Sequence, residues 1–305
     1  GVHGQLSWFG TSLTALRSGA RTPTQIVRYD TSSWDRTVLA VGPVSAWDVA
    51  DLPEPELVEV EHDGVTLHAR RYVAGNGRML CWIHGGPTDQ WQVEFLPRIA
   101  YWWSQGWDVL VPDPRGSTGH GRDYQQALHA EWGRLDVDDT AAILRASHLS
   151  GRSAPHKTVL LGGSSGGLTA LGVLGRRRGL AAGGVVLYPV TDLAVLAVES
   201  HRFEAHYTLG LVGPLDDTQR YRERSPIAYA ADIDVPLLVM HGDADPVVPL
   251  SSTIAFAGAM RRAGGDVELV VMPGEGHGFR DPANRRADFD LTARFLHRVV
   301  PADEG

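Results

Sequence analysis

Three segments of this chain carry residues whose types and order suit acyl transfer. The first is Gly162-Gly163-Ser164-Ser165-Gly166-Gly167, directly after the apolar run 158–161. A strand that ends in glycines around a serine, and then gives way to a helical pattern, describes a sharp turn that lifts a nucleophile above a sheet. At such a turn the serine backbone is forced into an unfavourable conformation, and flanking residues with a Cβ would collide with the strand and helix being joined. Both Ser164 and Ser165 satisfy G-x-S-x-G, so the motif leaves the nucleophile open by one residue. A nucleophilic serine also needs a base and an acid that orients it. The apolar run 235–240 leads into His241-Gly242-Asp243-Ala244-Asp245-Pro246-Val247-Val248-Pro249, and the run 267–272 leads into Pro273-Gly274-Glu275-Gly276-His277-Gly278-Phe279. A fourth component, a backbone N–H for a developing oxyanion, has a place after the run 79–83, where the chain continues His84-Gly85-Gly86-Pro87.

Serine, then acid, then histidine, the last two on loops after later strands, is the order of the α/β-hydrolase fold. Taken in order and spacing over about residues 55–300, five segments resemble the catalytic domain of the prolyl oligopeptidase family of serine peptidases. They are His84-Gly85-Gly86-Pro87, Asp113-Pro114-Arg115-Gly116-Ser117-Thr118-Gly119-His120-Gly121, the glycine-serine segment 162–167, Ser225-Pro226-Ile227 and Gly276-His277-Gly278-Phe279. The acylaminoacyl-peptidase and dipeptidyl-peptidase-like branches are nearest in appearance. The resemblance implies Ser164 as nucleophile, Asp245 as acid and His277 as base, with the amides of Gly86 and Ser165 as oxyanion hole. It also implies an acyl-enzyme mechanism that requires no cofactor and no metal. One departure stands out: many members carry an aromatic residue directly after the nucleophile, where this chain has Ser165. That affects the substrate pocket, not the chemistry.

Substrate-binding candidates are fewer. Residues 200–207 follow a strand and its loop, where the family places pocket residues; Phe203 and Tyr207 are apolar-pocket candidates and Glu204 a candidate for a free amino terminus. Val247, beside the acid, joins them. The leading functional reading is a serine exopeptidase or oligopeptidase acting on short peptides or aminoacyl amides. An esterase or small-amide hydrolase using the same triad is the alternative, and a non-catalytic binding protein on this fold a more distant one.

The elements that must position these residues follow from periodicity. The hydrolase part opens with a hairpin signalled by His62-Asp63-Gly64 between the runs 57–61 and 65–72. Strands are expected at 79–83, 107–111, 158–161, 185–188, 235–240 and 267–272, alternating with helices from Pro97 to Gly106, over 135–147, from Ser165, and near 251–263 and 287–299. Such alternation implies a mostly parallel sheet with helices on both faces. Residues 1–52 read differently: short β-type runs at 5–9, 14–17, 24–29 and 37–41 form a meander of about four strands, one blade's worth of a β-propeller. Because the resembling peptidases place a propeller before the hydrolase domain, the expectation is an all-β end of a propeller at 1–52, a catalytic domain at 53–305 and a longer parent protein. A natively short enzyme with a β extension is the rival.

Composition limits the partners. With 305 residues, 43% hydrophobic and 21% charged, the chain can bury a large core, and its net charge of -8 disfavours a phosphate-backbone partner, so no nucleic acid is expected. No apolar stretch approaches a membrane span, so no membrane partner is expected either. The single cysteine, Cys81, lies in an apolar strand and fits a reducing, cytoplasmic setting. Besides substrate, an upstream β-propeller and self-association remain the partners the sequence admits. Several residues have plainer readings. Asp136, Asp138 and Asp139 lack the glycine and glutamate of a calcium loop. Arg176, Arg177 and Arg178 read as a solvated run, Arg115 as a structural partner of a carboxylate, and His84 as a shaper of the oxyanion loop. His241 and Asp243 read as turn and strand-end residues, and Trp102 and Trp103 as one helix face with at least one in the core.

Overall fold

A computed structural model describes residues 1–42, 51–199 and 207–301. Its contacts divide the chain into two compact units, one of residues 1–57, 70–76 and 91–109 and one of residues 58–69, 77–90 and 110–305.

The first unit contains an antiparallel meander of β1 (Val2–Phe9), β2 (Ser12–Gly19), β3 (Thr22–Asp30) and β4 (Arg36–Val41), paired in sequence order. Residues 53–55 precede β5 (Glu56–His62), which is joined to β6 (Val65–Tyr72) by the two-residue turn Asp63-Gly64, with φ of 50° and 75°. Positive φ at both positions is the geometry that matches the twist of paired strands, which explains the Asp-Gly signal. After β7 (Met79–Ile83) comes α1 (Pro97–Ser104), which starts at its proline and buries Ile99, Ala100 and Trp102. Phe95 and Ala100 pack with Leu52, and the Phe95 amide donates to Ser18 Oγ at 2.9 Å. Trp103 is half-buried, its indole N–H bonded to Val73 O at 2.8 Å.

The chain continues through β8 (Asp108–Asp113), α2 (Arg122–Gln126), α3 (Leu135–Leu149), β9 (Thr158–Gly163), α4 (Ser165–Arg176) and β10 (Gly183–Leu187). Three short helices follow, α5 (Leu193–Glu199), α6 (Tyr207–Val212) and α7 (Thr218–Arg224), then β11 (Leu237–Gly242), α8 (Leu250–Arg262), β12 (Val267–Met272) and α9 (Pro282–Val299). Strands β5 to β12 form one mixed sheet of order β12-β11-β10-β9-β7-β8-β6-β5. The run β7-β9-β10-β11-β12 is parallel throughout. Strands β7, β9, β10 and β11 are buried over almost their whole length, which is why they read as unbroken apolar runs. Cys81 sits among them fully buried, and burial pushes its thiol up. This is the α/β-hydrolase sheet, and it aligns the C-terminal ends of β9, β11 and β12, where ligand-facing residues of parallel sheets gather.

Candidate active site

The turn between β9 and α4 carries Ser164 at φ 55° and ψ −123°. That conformation is sparsely populated for a residue with a Cβ and costs about 1–3 kcal/mol, so the surroundings must enforce it. They do so through the Ser164 amide, which donates to Leu187 O at 3.0 Å, and through its carbonyl, which accepts from Gly167 at 3.0 Å. The glycines are needed because nothing else fits. A Cβ on Gly166 would lie 2.5 Å from the carbonyl oxygens of Ile83 and His84, one on Gly167 would lie 2.7 Å from Pro189 Cβ, and one on Gly162 would strike the Gly166 carbonyl.

Asp245 and His277 come from the loops after β11 and β12. His277 Nε2 stands 2.9 Å from Ser164 Oγ, and His277 Nδ1 stands 2.9 Å from Asp245 Oδ2. The other carboxylate oxygen, Oδ1, accepts from the amides of Val247 at 2.8 Å and Val248 at 3.0 Å. Burial alone would raise this carboxyl. Hydrogen bonds from His241 and His277 and from those two amides outweigh it and hold Asp245 below the usual carboxylate range. The His277 loop is braced from below by Glu275. Its carboxylate accepts from the amides of Arg280 and Asp281, both at 2.8 Å, and from Asn284 Nδ2 at 3.0 Å. The amide of Arg280 foremost keeps that carboxyl low. Tyr188, just past β10, lays its ring 4.7 Å from the His277 ring and 5.7 Å from Phe279.

The proposed oxyanion donors lie on either side of this serine. Ser165 opens α4, where backbone N–H groups and the helix dipole favour negative charge. Its buried side chain accepts from Trp132 Nε1 at 3.0 Å. On the other side is the loop after β7: a Cβ on Gly85 would lie 3.7 Å from Ser164 Cβ, and Gly86 has φ +117°. His84 shapes this loop, as read from the sequence. It is buried, with Nε2 2.7 Å from Ser117 Oγ and Nδ1 2.6 Å from Gly85 O. Four residues past His84, the Thr88 hydroxyl meets the hydroxyl of Tyr207 at 2.6 Å. Tyr207 is thereby tied to the loop after β7. The Val247 side chain is partly buried against an apolar cluster that includes Leu168, Leu193 and Val248. Phe203 and Glu204 lie outside the described residues.

Beneath α4 runs a buried polar row. Asp136 accepts from the Gly133 amide at 2.7 Å and from the Thr169 hydroxyl, and burial raises its carboxyl to about 6. Asp139 is paired with Arg115 and Asp138 with Arg177. The arginine run is exposed at Arg176 and Arg178, as its sequence suggests, and its members also have partners: Arg178 pairs with Asp234, and Arg176 donates to Glu223 O at 3.1 Å. Close approach of α4 to α3, α7 and the segment before β11 supplies partners that the run alone does not reveal. His241 is likewise more than a turn residue, being fully buried beside Asp245. Among the described residues no group of three or more His, Cys, Asp or Glu side chains is arranged to hold a metal ion. Among the same residues no helix is long and apolar enough to cross a membrane.

Comparison with known proteins bears on this geometry. The model of the prolyl oligopeptidase family matches residues 93–302. The chain belongs to the prolyl oligopeptidase family. Within that family it is similar to acylamino-acid-releasing enzyme 1 of Oryza sativa subsp. japonica, at 27% identity over 218 residues, which covers 68% of this chain and 28% of the relative. It is also similar to dipeptidyl aminopeptidase BIII of Pseudoxanthomonas mexicana, at 29% identity over 72% of this chain and 32% of that enzyme. Among solved structures, a puromycin-hydrolyzing peptidase of Mycobacterium tuberculosis superposes with a TM-score of 0.92 at 29% identity, covering 99% of this chain and 48% of that one. The chain thus spans about a third or less of the curated family relatives it matches, and about half of the solved one.

Proposed function

We propose that this chain is the catalytic part of a serine peptidase that hydrolyses short peptides or aminoacyl amides through an acyl-enzyme. The observation that carries the reading is the unbroken line from Ser164 Oγ to His277 Nε2 and from His277 Nδ1 to Asp245 Oδ2, each step 2.9 Å. In the mechanism, His277 takes the Ser164 proton as the serine oxygen attacks the scissile carbonyl. Asp245 holds the imidazole in the required tautomer and stabilises its cation. The oxyanion is received by the amides of Gly86 and Ser165, each such donor contributing on the order of 100-fold to 1000-fold in rate. His277 then returns the proton to the leaving amine. Water, deprotonated by the same imidazole, releases the acyl group. Tyr207 and Val247 flank the oxyanion loop and the acid loop respectively and are kept as pocket residues.

Relatives named for releasing acylamino acids, for dipeptidyl aminopeptidase activity and for hydrolysing puromycin support an exopeptidase-like choice of substrate. The meander of residues 1–52 is proposed to be one blade of a β-propeller, ahead of a catalytic domain at 53–305. Its sequential antiparallel order and its exposed Trp8, Phe9 and Trp34 support this. A cytoplasmic setting agrees with a lone, buried Cys81.

The test is a panel of free aminoacyl anilides, N-acylated aminoacyl anilides, dipeptide anilides and short nitrophenyl esters, each run beside Ser164→Ala. Anilide cleavage that disappears in the variant is expected. Cleavage of esters alone would replace the peptidase reading with an esterase. Failure of a fluorophosphonate to label the chain would leave only a binding role.

A further inference from the structure

We infer that His241 is a positioning residue for the acid of the triad: it shares the Asp245 carboxylate with His277 and limits how much of that negative charge the His277 ring receives. The inference rests on the serine-peptidase reading above.

His241 lies in β11, four residues before Asp245, and its side chain is wholly buried. An imidazole in such a place is costly unless both ring nitrogens are bonded, and here both are. Nε2 is 3.0 Å from Val248 O and 3.3 Å from Asp245 Oδ2, while Nδ1 is 2.9 Å from Thr253 Oγ1 on α8. A carbonyl and a carboxylate can only accept, so Nε2 bears the proton that faces them. Thr253 fixes the ring from behind.

Asp245 Oδ2 is hydrogen-bonded to His277 Nδ1 at 2.9 Å and lies 3.3 Å from the His241 Nε2–H, whose nearer acceptor is Val248 O, and Oδ1 faces two backbone amides. Among the described residues no other side chain donates to this carboxylate. Each donor disperses its charge and lowers its affinity for a further proton. The amides fix the direction of the carboxylate and come with the fold of the loop. His241 is the adjustable member, since an apolar side chain of similar size would fill the same space. The other groups around the pair are engaged elsewhere or face it through an aromatic ring. Tyr188 presents its ring to His277; Glu275, on the His277 loop, spends its oxygens on Arg280, Asp281 and Asn284; and Asp243 accepts from the Gly274 amide.

The experiment compares kcat/KM against pH for the unaltered chain, His241→Leu and Thr253→Val, on the best substrate of the panel. In His241→Leu the carboxylate, freed of one donor, holds the His277 proton more tightly, and the acid limb is expected to move up by about one pH unit. The loss near pH 6 should then exceed the loss near pH 8 by about five-fold, with KM little changed. Thr253→Val, which leaves the ring in place but loosens it, should move the limb the same way by less. A packing role predicts a loss that is the same at every pH.

A second readout needs no turnover. In Ser164→Ala, the proton between His277 Nδ1 and Asp245 gives a downfield NMR resonance, and adding His241→Leu should move it further downfield. A limb that stays or falls, or a resonance that does not move, overturns the role of His241. A chain inactive on every substrate overturns the peptidase reading instead, and the resonance still decides the question of His241.

Discussion

Strands β10 and β11 bury every residue, whereas β1 and β4 bury none, and Phe9 at the end of β1 is 89% exposed. All four are rich in strand-forming residues, so β character alone does not separate them. What separates them is what lies on either face. A parallel strand covered on both sides admits a polar residue only where its polar atoms find partners, as His241 does in β11, and its neighbours are packed to the limit. A meander strand with open faces tolerates almost any side chain. Ser164 and Asp245 of the proposed mechanism follow strands of the first kind, β9 and β11, where a displacement of a fraction of an ångström has nowhere to dissipate, while His277 follows the half-exposed edge strand β12.

The largest effect expected from that contrast is chemical. Ser164→Ala should lower turnover by about a million-fold, as loss of a triad nucleophile does elsewhere, while the thermal midpoint stays within a degree or two. Full turnover in this variant together with its loss in Ser165→Ala would move the nucleophile by one residue and break the site as drawn.

Next comes a pair of identical changes, Gly166→Ala and Gly4→Ala. At Gly166 the new methyl group would lie 2.5 Å from two backbone oxygens, whereas at Gly4 nothing lies within 4 Å. Overpacking against backbone costs about 1–3 kcal/mol or more, so Gly166→Ala should be clearly destabilised and lose most activity. Gly4→Ala should stay within about 0.5 kcal/mol of the parent. Urea midpoints measure both, and equal midpoints would refute the packing contrast.

The same contrast explains what was readable from the sequence. The glycines around Ser164 and the Asp63-Gly64 turn were legible because their constraint is local: a steric rule acts on residues adjacent in the chain. The buried strands were legible from their unbroken apolar runs. Helices α2, α5, α6 and α7 were not, because five to seven residues hold less than two turns at 3.6 residues per turn. Pairings such as Arg115 with Asp139, Arg177 with Asp138 and Trp132 with Ser165 join residues 24 to 39 positions apart. Residue type suggests that each wants a partner, but only the packing of α3 against α4 and neighbouring loops says which. His241 was visible in its motif, yet its burial follows from the position of β11 inside the sheet.

Two aspartates sharpen the comparison through pH. In the meander, the amides of Ser32 and then Ser33 hold the exposed Asp30 below its ordinary value, so its contribution is present at neutral pH and fades as pH falls. Under α4 the sign is reversed. Asp136 titrates near 6 in the fold against 3.8 unfolded, so burial favours its neutral form. Its contribution is full below the unfolded value and is lost as pH rises toward about 6, at a total of about 3 kcal/mol. Asp136→Asn keeps the shape and removes the titration. The difference in urea midpoint between variant and parent should therefore grow in favour of the variant from about pH 4 to pH 7. Parallel curves would show that Asp136 is held charged by Thr169 and Gly133.

The smallest effects come from two tryptophans that make nearly the same hydrogen bond. Trp132, a residue 2% exposed, donates from Nε1 to Ser165 Oγ at 3.0 Å; Trp8, 65% exposed, donates from Nε1 to Gly10 O at 2.9 Å. Replacing each by phenylalanine removes one indole N–H together with part of the ring, which leaves a small void only in the buried case. In the exposed case water takes over, and the change should be within about 0.5 kcal/mol. In the buried case the Ser165 hydroxyl loses its donor with no water to replace it, a cost of about 1–3 kcal/mol. Because the Ser165 amide is assigned to the oxyanion, part of that cost should appear in the reaction: kcat lowered about five-fold to ten-fold, an effect of about 1 kcal/mol, with KM unchanged. In a Ser165→Ala background the hydroxyl is already gone, so Trp132→Phe should then have little further effect on kcat. Additive losses in that double-mutant cycle would mean that Trp132 supports the fold alone, and that the hydroxyl of Ser165 has no bearing on where its amide points.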